Sequence, residues 1–587
     1  MERKHTLFLC AAFALAPALA QDFPTVTAEE AAAQVGASLQ ATRATSYIWS
    51  ERYLYRSGQS LTLRWTLKPN GDDGPYTIFA YRQNNQTGQK LYLPGHTETL
   101  TDIFGRTADQ GYRIIRLTEF AKRVAAGPGG LAPAVPIPNE LGMHTLVLEI
   151  RDYTGGRVLK GCYQKIGVID EEVNVTGTIE TNTLWTNTKA YRIRGIVQIR
   201  NGATLTLEPG TLVIGEPGSQ PPSVLVATRS GRIIANGTRS RPIIMTSSQP
   251  FGQRKRGDWG GLIMLGQAPV NWPAGFGNIE GLPDTDDTRY GGTNPDHLCG
   301  FLRYVRVEFA GSELRPNEET NSFTWGGCGT ATVSEYLQAH YGLDDAFEWF
   351  GGNNNAKYLV GTYTADDFFD WQIGYTGKVQ HAVAVANDDR SNRGFEGDNN
   401  ERDFTLSPFS NPQFFNVTLV GGGDQHFDEP GGAHGIFVRR GTRASINNVV
   451  STNFYDWGIQ ASDQATLDNI ANRTLTTNGV ILWNNGRTQS RPNTVAGQAH
   501  SSFVPCINGT AGQCRQTVIA DPQLRRPFDY SDPDFRPQPG SPVYRANWVN
   551  APDDGFFDQW AKWSGAFGDI DWTEEWTNFL QEQDIAQ

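Results

Sequence analysis

Two stretches of the chain place acidic pairs at matched positions. YLQAHYGLDDAFEWFGG begins at Tyr336 and YLVGTYTADDFFDWQIG begins at Tyr358. The offset of 22 residues sets Asp344 against Asp366, Asp345 against Asp367 and Glu348 against Asp370. A further 22 residues reaches Asp388 and Asp389 in VAVANDDR, and after a short insertion Phe395-Glu396 resumes the pattern. Carboxylates stacked this way cannot all ionise unless a cation, a shared proton, or an arginine or lysine compensates. Asp344, Asp345, Asp366, Asp367, Asp388 and Asp389 are therefore candidate ligands for a hard, oxygen-seeking cation such as Ca²⁺. Asp344, Asp366, Asp388 and Arg390 are the candidate catalytic residues. Paired carboxylates suit glycoside hydrolysis, whereas a polysaccharide lyase needs Ca²⁺ and a base, for which Arg390, Arg393 and Lys378 stand nearby in sequence.

Tyr341, Trp349, Tyr363 and Trp371 flank the acidic pairs. An exposed aromatic row beside carboxylates is what a sugar ring stacks on, so these four are the candidate substrate-binding residues. The alternative is an interior stack, and Phe347 and Phe369 are expected there. The acidic pairs have a bland alternative too, because Asp-Asp starts turns by bonding its own backbone. A second polar cluster, GGGDQHFDEPGGAHG from Gly421, holds Asp424, His426, Asp428, Glu429 and His434, in a spacing that matches no metal motif. His340 and His381 read as ordinary polar residues.

A period near 22 fits one coil of a parallel β-helix and is too short for helix-pair repeats. The surrounding texture agrees. Short β-branched runs punctuated by Gly recur in GATLTLEPGTLVIG from Gly202, GRIIANGT from Gly231 and HGIFVRRG from His434. Upstream the pattern differs: Leu61, Leu63, Trp65 and Leu67 alternate with Thr62, Arg64 and Thr66, and Leu146, Leu148 and Ile150 alternate with Val147, Glu149 and Arg151. Period-two alternation between turns predicts half-buried strands. The expected order is a signal peptide over 1–20, a linker over 21–45 and an immunoglobulin-like β-sandwich over 46–170. A right-handed parallel β-helix over 171–545 and a C-terminal cap over 546–587 follow. The Trp-rich tail (Trp560, Trp563, Trp572, Trp576) is expected to cover the open end of the solenoid.

Arg3 and Lys4, the apolar run Leu7–Ala16 and Ala18-Leu19-Ala20 form a secretory signal. The whole chain carries a formal charge of -12, and without residues 1–20, which sum to +1, the remainder carries -13. Such a chain repels nucleic acid. Export permits disulfides; Cys506–Cys514 and Cys299–Cys328 are the expected pairs, with Cys162 left as a thiol.

The strings GATLTLEPGT, RGDWGGLIMLGQAPVN from Arg256, LRYVRVEFAG from Leu302, the DDAFEWFGG and DDFFDWQIGYTGK pair, and GAFGDIDWTEEWTNF from Gly565 resemble a widespread group of secreted bacterial β-helix proteins. The resemblance covers about residues 175–580 and omits the upstream strands. That group is known mostly as proteins of unassigned function, so the resemblance implies fold and export and transfers no catalytic residue. The functional expectation is a secreted, cell-surface or periplasmic protein that binds extracellular glycan, with polysaccharide processing as its catalytic extension. The alternative is a structural or adhesive surface protein.

Overall fold

Runs such as Phe369–Gln372 alternate large apolar residues with polar ones, and each run recurs one coil later in register. Parallel pairing follows, because equivalent residues of successive coils then bond side by side. The computed structural model describes residues 170–582 almost continuously, save 317, 388–390, 424–431, 486–494, 497–516, 531–532 and 546–547. It also describes parts of 46–169. The described strands build two long sheets of sixteen and eleven strands whose order rises along the chain. In the first sheet, Val333–His340 pairs with Asn355–Thr362, which pairs with Lys378–Val385, all parallel. In the second, Phe347–Phe350 pairs with Phe369–Gln372, which pairs with Arg393–Gly397. The chain folds as a right-handed parallel β-helix.

The interior is a stack of rings. Phe323, Phe347 and Phe369 lie parallel with centroids 5.3 and 5.6 Å apart, and Trp325 stacks on Trp349 at 5.2 Å. All five are fully buried. Each such side chain adds roughly 1.5–3 kcal/mol of burial. The disulfide Cys299–Cys328 closes across the same core, as expected. Cys506 and Cys514 lie outside the described residues, as do residues 1–45.

Six successive strands of the first sheet share a bend. Tyr304, Tyr336, Tyr358, His381, Asn416 and Asn448 all have φ between +50° and +59°, a left-handed conformation that costs a non-glycine residue roughly 1–2 kcal/mol. The strands leave these residues unpaired yet keep the same register on either side of them. Stacking offsets the strain, with Tyr304, Tyr336, Tyr358 and His381 in one pile at 4.4, 4.3 and 4.8 Å.

Upstream, Tyr76–Asn84, Gly142–Arg151 and Val158–Ile169 form the antiparallel centre of a six-stranded sheet. Met143 of this sheet packs with Leu212 and Ile244 of the solenoid.

The tail does not plug the open end. It runs back along the outer face of the first sheet, which corrects the expected cap. Val549 bonds Asn448, Trp563 accepts from Asn416, Asn578 bonds Gln338 and Glu582 meets Arg254. The reason lies in unsatisfied polar groups on that face: Gln338, His340, Arg254 and Glu308 are fully buried beneath the tail and need its partners. Replacing Glu582 with Ala removes the nearest counter-charge of a buried guanidinium, at a cost of about 3–5 kcal/mol. Limited proteolysis should then cut the tail many-fold faster; unchanged cleavage would show that the tail is not held there.

Candidate functional site

The repeat that aligns the acidic residues also decides which way they face. Along Phe347–Phe350 and Phe369–Gln372 the rings point inward, so Glu348 and Asp370 point outward from the second sheet. Asp344, Asp345, Asp366 and Asp367 precede these strands and share the same outer face. Asp344 and Asp366 are half-buried, and the others are buried.

Three columns result. In one, Asp345 Oδ1 accepts the Asp367 backbone N–H at 3.0 Å, Asp367 Oδ1 accepts that of Arg393 at 2.9 Å, and Asn321 Oδ1 accepts that of Asp345 at 3.0 Å. Each side chain thus holds the next coil, so here the turn-ladder reading holds. In the second column Asp366 Oδ1 accepts from the Asn392 amide at 2.9 Å. The third runs through Glu348, Asp370 and Glu396 in register.

The third rung differs from expectation. Asn392 and Arg393, not Asp388 and Asp389, continue the Asp-Asp columns. The cause is the insertion before Arg393–Gly397, which lengthens the offset to 26 residues. Asp388, Asp389 and Arg390 lie outside the described residues, as do Asp424, His426, Asp428 and Glu429.

The proposed bases are also corrected. Arg393 lies 3.0 Å from Asp367 and 2.6 Å from Glu396. Burial opposes its charge, yet these two carboxylates hold its pKa above the usual value, so it cannot act as a base. Lys378 lies on the first sheet, 2.6 Å from Asp554. His434 follows Arg393 on the next coil, and burial, then Arg393, pushes its pKa down to about 3.

The aromatic row is not a binding surface. Trp349 and Trp371 are fully buried because they alternate inward with the phenylalanines; Trp371 Nε1 donates to Thr442 at 3.0 Å. Tyr341 and Tyr363 are buried where the tail and Arg256 cover them: Tyr363 donates to the Tyr530 carbonyl at 3.1 Å, and Arg256 lies 4.8 Å over the Tyr341 ring.

What remains is a buried acidic cluster on the outer side of the second sheet. Ligand oxygens of Asp344, Asp345 and Asp366 lie within 4.8 Å of one another, and so do those of Asp345, Glu348 and Asp370. Gln372 donates to Glu348 at 2.8 Å, and Asn321 donates to its other oxygen. Asp370 Oδ1 is buried and has no hydrogen-bond partner. Burial first, then neighbouring carboxylates, pushes Asp344, Asp345, Glu348 and Asp370 well above the usual carboxylate range. Asp367 rises by burial although Arg393 opposes it. At the far end Arg439 bonds Glu396 at 2.5 Å and Asp398 at 2.9 Å, and Arg440 bonds Asp398 at 2.7 Å.

Sequence reasoning missed the second ring of acid. Glu280 and Glu319 act on Asp344, and Glu318, Glu319 and Glu401 act on Glu280, all from hairpins and loops between coils. It also missed Trp272, which bonds Tyr290 at 2.9 Å and lies 5.0 Å from the Arg402 guanidinium. No repeat carries these residues, so periodicity gave no signal for them.

A family model described as a pectate-lyase-like β-helix domain matches residues 177–519, more than half of the chain, and the chain belongs to that family. No curated protein matches it. Among solved structures, a Yersinia enterocolitica family 28 exopolygalacturonase is similar at 11% identity over 75% of this chain and 92% of that chain, with a TM-score of 0.19.

The raised carboxyls make stability fall with pH. Glu396 is pushed up to about 8 from 4.5, by burial and only partly offset by Arg393. Protonated in the fold and ionised in the unfolded chain, it contributes stability that is complete below 4.5 and lost as pH rises through about 8. Without added metal, thermal melting should peak near about pH 5 and decline toward about pH 8, and Glu396→Gln should flatten that decline. A melting curve that rises over this interval would show that the acids are ionised and compensated.

Proposed function

Starting from a pectate-lyase-like β-helix protein with an acidic cluster on its second sheet, we propose that the chain is exported and binds an extracellular glycan at that cluster. Asp345, Glu348 and Asp370 hold a hard divalent cation such as Ca²⁺ there. The observation that carries this reading is Asp370 Oδ1, buried without a partner among carboxylates whose oxygens lie within 4.8 Å of one another. Two oxygens that each contact Ca²⁺ at about 2.3–2.6 Å stand roughly 4.6–5.2 Å apart at most. The triad therefore spans one ion. Bare, its neighbouring carboxylates would repel by about 3 kcal/mol per pair at an effective dielectric near 20.

Asp344 and Asp366, the half-buried pair, are the candidate general acid/base and nucleophile for polysaccharide hydrolysis. Their oxygens lie within 4.8 Å of each other, near the roughly 5–5.5 Å of a retaining pair and short of the wider inverting separation. The family's description favours an enzyme of the lyase type, in which the cation would bind the glycan's oxygens. The alternative, a structural or adhesive protein, draws support from the Asn321–Asp345–Asp367–Arg393 ladder, whose side chains all bond backbone or each other.

Added Ca²⁺ should raise the melting temperature and chelator should lower it, by mass action on the folded state. Glu348→Gln and Asp370→Asn should abolish the response. A depolymerisation screen over extracellular polysaccharides separates the two functions: an activity lost in Asp366→Asn supports processing. Melting indifferent to Ca²⁺, together with no glycan bound or cleaved, would leave the structural role standing.

A further inference from the structure

The first coil ends the solenoid with an open edge. Glu171–Val175 pairs with Lys189–Ile193, Thr178–Ile179 with Ile196–Ile199, and Thr183–Trp185 with Thr204–Leu207. Among the described residues nothing pairs with the other side of these three strands. Val173, Val175 and Ile179 pack on the core but stay only partly buried, and Leu184 is 56% exposed. Unpaired backbone beside apolar side chains invites association unless something bulky or charged blocks it. The charges on this edge are already matched: Glu171 pairs with Lys189, Glu172 with Arg192 and Glu180 with Arg200.

On that edge stands Asn174-Val175-Thr176, an Asn-x-Thr acceptor for N-linked oligosaccharide. Alternation turns Val173 and Val175 toward the core, so Asn174 points out. Asn174 and Thr176 are exposed, and the Asn174 side chain makes no hydrogen bond among the described residues. Gly177 follows, with open space where a Cβ would stand. The chain holds five other Asn-x-Thr triplets. Asn85 is bonded to Ser240 and Thr145, Asn416 is buried, and Asn508 lies outside the described residues. Asn236 and Asn472 are exposed, as Asn174 is. What separates Asn174 from all five is Glu172, an acid two positions earlier, where the others have Gln83, Phe414, Cys506, Ile234 and Ile470. A carboxylate at that distance is a charged handle, so a transferase with a cation beside its asparagine site selects this triplet over the others.

We infer that Asn174 is the attachment site of an N-linked oligosaccharide, received from a lipid-pyrophosphate donor once the chain has crossed the membrane. This rests on the export reading above and is independent of the acidic cluster. In the transfer the Asn174 amide nitrogen forms a bond to C1 of the sugar, and the bond from C1 to the pyrophosphate oxygen breaks. The amide gives up one proton and the lipid pyrophosphate leaves. The Thr176 hydroxyl and the Glu172 carboxylate are what the enzyme grips. A chain exported unfolded presents Glu172 before it pairs with Arg192. Once the coil closes, the sugar stands out from the edge strand, bulky and solubilising, where a second chain would have to add its own strand.

The test is to express the full chain, residues 1–20 included, in a bacterial host that supplies an oligosaccharyltransferase and a lipid-linked oligosaccharide. Mass spectrometry is then run on the protein and its peptides, from periplasm and cytoplasm separately. The periplasmic product should lack residues 1–20 and carry the oligosaccharide on the peptide that contains Asn174, with Asn236 and Asn472 bare. Asn174→Gln and Thr176→Ala should each abolish the modification. Glu172→Gln, which keeps an oxygen for Arg192, should abolish it too at an unchanged exported yield, a loss that misfolding would not explain. An exported, processed chain with Asn174 bare would overturn the inference and leave export standing. Modification that survives Glu172→Gln, or that falls equally on Asn236 and Asn472, would overturn it as well. A chain held in the cytoplasm with residues 1–20 still attached would remove the export reading, and the inference with it.

Discussion

About 4.8 Å separates each residue of a parallel β-helix from its counterpart on the next coil, and most of this molecule follows from that distance. Inside the solenoid it suits ring stacking, and the Phe323–Phe347–Phe369 pile uses it. In the ladder it lets one side-chain oxygen reach the next coil's backbone N–H, as Asp345 does for Asp367. Applied to carboxylates, the same distance is a problem. Two ionised neighbours repel by an amount comparable with a sizeable share of a domain's stability of roughly 5–15 kcal/mol. The fold therefore sets the electrostatics of the cluster before any single residue does.

The two long sheets meet this constraint differently. The first sheet's outer face presents Gln338, His340, Glu308 and Arg254, and the tail covers them, supplying a bond to each kind of group. Its strained left-handed column is sealed in the same way, with Trp572 and Trp576 edge-on against the tyrosine pile. The second sheet's outer face carries the carboxylates, and Asp344, Asp366 and Gln372 there are only half-buried. The first face is sealed by the tail, whereas part of the second stays open to solvent.

The fold and the acidic face were legible because both are periodic. The 22-residue offset aligned Asp344 with Asp366 and Glu348 with Asp370, and the paired strands keep that alignment. Periodicity failed where the period changed. Four residues inserted before Arg393 move Asp388 and Asp389 off the columns and bring Asn392 and Arg393 onto them. It also could not assign inside and outside to the aromatics. Trp349 and Glu348 are adjacent, and the sequence pattern alone suits either face outward; the burial of Phe347 and Phe369 settles it. Glu280, Glu318 and Glu401 come from single loops, and nothing in their spacing ties them to the repeat. The tail's position was illegible for a similar reason, because its partners are scattered over some 200 residues of the first sheet.

The ladder column shows why the acid stretch, and not the rest of that face, demands a partner. Read along the axis it passes from Asn321 through Asp345 and Asp367 to Arg393 and His434. The amide is neutral. Asp367 has Arg393 at 3.0 Å, and that arginine also serves Glu396. His434 is neutral because burial and Arg393 keep protons off it. Among the described residues of this column, the segment around Asp345, with Glu348 and Asp370 beside it, combines deep burial with several neighbouring carboxylates. A buried charge without a counter-charge costs more than a fold of this kind can absorb. The group therefore takes up protons, or it takes up a cation. Protonation is available in any β-helix, but it would spend the carboxylates on one another rather than on a ligand. A cation of the kind proposed above would satisfy the unpartnered Asp370 Oδ1, remove the repulsion and leave the half-buried pair of Asp344 and Asp366 free to meet a ligand.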